Sequence, residues 1–175
     1  MYSHQTTALV GMCLVGLTTA PVGAQEQHEQ GSLANVGAIA VVVQAIPADA
    51  ERDGLTRELL QTLVEQRLQQ NGIPLRSFVS SSSSSVPTPG YLSVKVTMFK
   101  AQALSRTIGF VYAYNLHVGF KQQVQLATNA FITAETWTQN AIGIHPAPKL
   151  RELSKTVLDL VNQFSDDYMT VNPAS

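Results

Sequence analysis

Over residues 108–126 the chain alternates with a period of two. Ile108, Phe110, Tyr112, Tyr114, Leu116, Val118, Phe120, Val124 and Leu126 share one parity, while Asn115, His117, Gly119, Lys121, Gln123 and Gln125 share the other. Side chains that switch sides at every residue belong to a strand, so this run predicts one long, half-buried strand that can bend at Gly119. The preceding segment repeats the pattern: Leu92, Val94, Val96 and Met98 alternate with Tyr91, Ser93, Lys95, Thr97 and Phe99. Two such strands need a sheet with one covered and one open face, which is the habit of antiparallel sheets.

The rest of the chain supplies the cover. Residues 36–46 are a nearly continuous β-branched and small apolar run, fitting a strand covered on both faces or lying centrally in the sheet. Pro47-Ala48-Asp49 offers a helix start with Asp49 or Asp53 as N-cap. Leu55, Leu59, Leu60, Leu63, Val64 and Leu68 then recur at helical spacing until Asn71-Gly72 stops the helix. A second short strand is expected over 73–79. The serines at 80–85 and the Pro-rich stretch after them predict a flexible loop at 80–90. Residues 130–138 read as a strand and 142–148 as a connector with two prolines. Leu150, Leu153, Val157, Leu160, Val161, Phe164 and Tyr168 form the stripe of a final helix ended by Asn172-Pro173. The expected class is α+β, a mainly antiparallel sheet of about five strands with two helices on one face, in the order β-α-β-β-β-β-α.

Parity in 130–138 decides which residues meet solvent. Turning Ile132 and Ala134 inward spares Glu135 an unpaired burial that costs several kcal/mol. Placing Leu126 and Ile132 on one face then requires an odd number of loop residues, such as 128–130. Unbroken alternation from there puts Tyr91, Phe99, Val111, Ala113, His117, Lys121, Glu135 and Trp137 together on the open face. It also sets Lys121 beside Trp137 as a cation–π pair.

The N-terminal residues carry no charge and contain an apolar run of signal-peptide length ending in Val22-Gly23-Ala24, so 1–24 are expected to be an export signal cut after Ala24. Cys13, the single cysteine, lies within that run and outside any lipobox, which argues against disulfides, thiolate chemistry and a lipid anchor. Residues 25–35 read as a flexible polar segment and 36–175 as one α+β domain. The 11 basic and 12 acidic residues, net charge −1, give no footprint for nucleic acid or an anionic membrane.

Catalytic patterns are missing from the sequence. His28, His117 and His145 fall in three unrelated segments, which predicts no metal site and no cofactor. No phosphate loop, nucleophile elbow or zinc-helix motif is present, and Glu135 has no carboxylate partner for glycosidase chemistry. The expectation is a non-enzymatic protein.

Gly54-Leu55, Val64-Glu65-Gln66-Arg67-Leu68, Gly72-Ile73, Pro89-Gly90-Tyr91-Leu92-Ser93-Val94, Ala134-Glu135-Thr136-Trp137 and the segment from Asp167 through Pro173 resemble a family of uncharacterised exported bacterial proteins. More weakly, the architecture is similar to the lipopolysaccharide-assembly lipoprotein of the outer-membrane translocon and to lipoprotein activators of cell-wall synthases, where two helices cover a small sheet. The lipidated cysteine of those proteins is missing here, so their anchoring and partners are not implied. The resemblance implies a periplasmic or secreted protein. The sequence predicts that Tyr91, Phe99, His117, Lys121, Glu135 and Trp137 bind an envelope protein partner. The competing expectation is a carrier of a small apolar or lipid ligand held between sheet and helices near Tyr112, Tyr114 and Phe164.

Overall fold

The computed structural model describes residues 28–78, 90–102 and 110–173. Those residues form an α+β unit with one four-stranded mixed sheet in the order β1-β2-β3-β4. Its strands are β1 (Ala40–Val43), β2 (Tyr91–Gln102), β3 (Phe110–Gln125) and β4 (Phe131–Pro146). β1 runs parallel to β2, whereas β2–β3 and β3–β4 are antiparallel. The expected fifth strand over 73–79 is reduced, in its described part, to a single bridge between Leu75 and Ile39.

The expected first helix is two. α1 (Ala48–Arg52) ends at Asp53, Gly54 takes a positive φ of 95°, and α2 (Arg57–Gln70) restarts with Thr56 as its N-cap. The Thr56 hydroxyl accepts from the Leu59 N–H at 3.2 Å, so neither Asp49 nor Asp53 caps this helix. Gly72, at φ 79°, terminates it where the sequence indicates. Leu60, Val64 and Leu68 are its buried stripe. A short 3₁₀ segment (Ala147–Glu152) leads into α3 (Leu153–Val171), whose buried Leu153, Val157, Leu160, Val161, Phe164 and Tyr168 follow the predicted spacing. Residues 142–146, expected to be connector, instead complete β4.

Leu92, Val94, Val96, Leu116, Val118 and Phe120 project from the sheet into the core beneath these helices. Phe164 sits among Phe120, Trp137 and Tyr168, with ring centroids 5.7, 5.1 and 6.1 Å away. The polar segment expected to be flexible through residue 35 is tied to the domain in its described part, where the Gln30 amide donates to Asp167 at 3.0 Å. Leu33 is fully buried, the Ser32 hydroxyl reaches the Thr136 carbonyl, and the Asn172 amide donates to the Leu33 carbonyl. The expected export signal and the serine run lie outside the described residues.

The β3–β4 hairpin closes over 127–129. Asn129 N–H donates to the Leu126 carbonyl at 2.9 Å, Leu126 N–H to the Ala130 carbonyl at 2.8 Å, and Asn129 adopts φ 62°. This is an odd-length loop with Asn in the left-handed position, one residue earlier than the sequence example.

Candidate functional site

The sheet face turned away from α2 and α3 is read directly from the register. Its rows run from Tyr91–Lys121–Glu135, through Lys95–His117–Asn140, to Phe99–Ala113–Ile144. Tyr91, Phe99, Val111, Ala113, His117, Lys121 and Glu135 therefore share the face that alternation assigns them.

Trp137 does not. The register shifts between Phe120 and Lys121: Phe120 pairs with Trp137, but Lys121 pairs with Glu135, leaving Thr136 as an extra residue. This β-bulge resets parity in the middle of β4. Glu135 stays outside while Trp137 turns into the core, 1% exposed, with its indole N–H donating to Asp167 at 2.8 Å. The expected Lys121–Trp137 pair is thus replaced by Lys121 opposite Glu135. The cation–π geometry in the described residues lies elsewhere, with Lys100 Nζ 5.3 Å from the Phe110 ring centre and 5.2 Å from that of Tyr112.

The face has a polar half and an apolar half. In the polar half His117 is held at both ring nitrogens, Nε2 at 2.9 Å from Glu135 Oε1 and Nδ1 at 2.8 Å from Asn140 Oδ1. Gly119 is what permits this. A Cβ there would collide with the Glu135 carboxylate, so the missing side chain lets Glu135 lie across the sheet toward His117. Lys95 and Lys121 flank this cluster in a shallow depression of about 330 Å³.

The apolar half was hidden in the supposed connector. Ile142 and Ile144 project from β4 on the same side as Phe99 and are 80%, 72% and 71% exposed, respectively. Thr138, Asn140, Ile142 and Ile144 do alternate with smaller or inward residues, a signal the two prolines obscured. These exposed apolar side chains are grouped on one end of the face rather than scattered singly.

On the helix side, the Asp53 carboxylate accepts from Lys100 Nζ at 2.6 Å and from the Tyr112 hydroxyl at 2.7 Å. The Lys100 hydrogen bond, then that of Tyr112, hold Asp53 below the usual carboxylate range. The same bond raises Lys100, and burial, followed by the Asp53 hydrogen bond, raises Tyr112. This clamp ties the α1–α2 turn to β2 and β3. Tyr112 and Phe164, expected near a carrier's ligand, are both fully buried, Tyr112 bound by Asp53 and Phe164 enclosed by rings.

Among the described residues no helix is long and apolar enough to cross a membrane, and no group of three or more His, Cys, Asp or Glu gathers to hold a metal ion. No protein-family model matches the chain, and no curated protein matches it in sequence. Solved structures that resemble it include a minor lipoprotein from Acinetobacter baumannii, 15% identical with a TM-score of 0.33, covering 76% of this chain and 87% of that one. A neuraminyllactose-binding hemagglutinin homolog from Helicobacter pylori is 12% identical, with a TM-score of 0.40 and coverage of 78% and 87%. Rare lipoprotein B from Shewanella oneidensis is 16% identical, with a TM-score of 0.24 and coverage of 75% and 91%.

Proposed function

We propose that this is an exported, non-enzymatic protein that docks a protein partner of the cell envelope on its open sheet face. The observation that carries this reading is the exposed row Phe99–Ala113–Ile144 with Ile142 beside it. An apolar patch at one end of the face, adjoined by the polar half around His117, Lys121 and Glu135, offers anchors that a partner would desolvate beside groups that can stay hydrated. Trp137 leaves the proposed surface because the bulge buries it. The envelope setting is supported by the signal-like N-terminus.

Site-specific photo-crosslinking in the host tests the reading. A photoreactive residue at position 99 or 144 is expected to give a discrete protein adduct, and one at the exposed α2 position Gln66 none. Adducts at position 66 alone, or at none of the three, would overturn it.

A further inference from the structure

The strand that carries Ile142 and Ile144 is also an edge strand, and the two edges of this sheet differ. At β1, Val43 N–H donates to the Gln61 side-chain oxygen at 3.1 Å, and the Gln61 amide donates to the Val41 carbonyl at 3.0 Å. Ile39 is closed in the same direction, its N–H on the Pro74 carbonyl and its carbonyl on the Arg76 N–H. Ile39 N–H and C=O, Val41 C=O and Val43 N–H, outward groups of the β1 edge, are thereby met within the chain.

At β4 the outward groups can be assigned by alternation. The Gly90 and Val94 carbonyls accept from Ala40 and Gln44, so even-numbered residues of β2 bond toward β1 and odd ones toward β3. It follows that even residues of β3 bond toward β4, and their partners Trp137, Gln139, Ala141, Gly143 and His145 bond back. Thr138, Asn140, Ile142 and Ile144 must then point N–H and C=O at the free edge. Among the described residues none of these four backbones meets a partner there.

Folded proteins guard such edges with charge, proline or a covering segment. Residues 138–145 contain no Lys, Arg, Asp, Glu or Pro. We propose that a second copy of this chain closes the edge, its β4 running antiparallel to the first across a dyad near Ile142. A strand free of charge meets itself without like-charge opposition, and the chain's net charge of −1 leaves little repulsion between copies. A self-pairing edge also satisfies the isologous symmetry of a closed dimer. The two Ile142 side chains then lie side by side on one face, and each Ile144 lies opposite Asn140 of the other copy, so the apolar end of each sheet adjoins the polar row of the next. This pairing uses the backbone edge rather than the face, and it stands independently of the docking reading.

Sedimentation equilibrium of the protein purified from its host tests it. The wild type is expected to be a dimer. Ile142→Lys and Ile142→Glu are each expected to raise the dimer Kd by about tenfold or more, and their equimolar mixture to recover the dimer, because opposite charges then face each other across the dyad. Phe99→Lys is expected to remain dimeric. A monomeric wild type, dimers unaffected by both Ile142 substitutions, or a dimer lost in Phe99→Lys but kept in the Ile142 variants would overturn the proposal. Near-UV circular dichroism checks folding. If either Ile142 variant is unfolded, Asn140→Pro, which removes one outward N–H, decides by the same outcomes.

Discussion

β1 and β4 bound the same sheet, but the chain treats them oppositely. β1 is short, parallel to its neighbour and sealed by a glutamine from α2, whose amide imitates the donor and acceptor of a missing strand. β4 is long and antiparallel, and among the described residues its outward backbone at 138–144 meets no partner. Edge protection is therefore not a property of strands as such. One edge is completed by a side chain from the same fold, and the other is left as a surface.

The largest expected effect concerns how β4 is anchored from behind. Trp137→Ala removes a buried ring packed on Phe164 and is expected to destabilise the protein by about 3–5 kcal/mol in urea unfolding, while leaving crosslinks at position 99 unchanged in pattern. A loss of crosslinking from a variant that remains folded would return Trp137 to the docking face and break the assignment of sides.

Next comes the closed edge. Gln61→Ala leaves the Val41 carbonyl and Val43 N–H without their partner and is expected to cost about 1–3 kcal/mol in the same assay. Full retention of stability would mean that water serves this edge as well as the glutamine, and the contrast between edges would vanish.

Deleting Thr136 sharpens the reading of the bulge. With that residue gone, Glu135 precedes Trp137 in ordinary alternation and both keep their sides. The deletion is expected to cost only about 1–2 kcal/mol, from the lost bonds to Ser32 and Gln122. A cost above that of Trp137→Ala would show that Thr136 does more than absorb one residue.

A smaller effect is expected at Asp53, which pins the helix side of the molecule. Its carboxylate is depressed in the folded state, so its stabilising contribution is present above the ordinary carboxylate range and is lost as pH falls through the depressed value. The melting temperature of Asp53→Asn should lie below that of wild type at neutral pH, with the gap closing below about pH 4. The smallest stability change is expected at Ile144→Lys, within about 0.5 kcal/mol of wild type because the residue is exposed, although the partner crosslink at position 99 should weaken.

Much of the scaffold could be read from residue spacing. The stripes of α2 and α3, the alternation of β2 and β3, and the odd hairpin loop all depend on neighbours a few residues apart. The open face was legible for Tyr91, Phe99, His117, Lys121 and Glu135 for the same reason. Ile142 and Ile144 were missed because prolines at 146 and 148 suggested a connector, whereas Pro146 stands at the very end of an edge strand, where a missing N–H costs little. Trp137 was misplaced because alternation assumes that no residue is inserted, and Thr136 is such an insertion.

The sequence by itself determined which segments are amphipathic and which side of each unbroken strand is apolar, since local periodicity sets those. Tertiary structure alone decided the side of Trp137 and the fate of the two edges. A bulge is defined by the strand across from it, and the bonds that seal β1 join backbone to a side chain on a separate helix. No spacing within either segment records such a meeting.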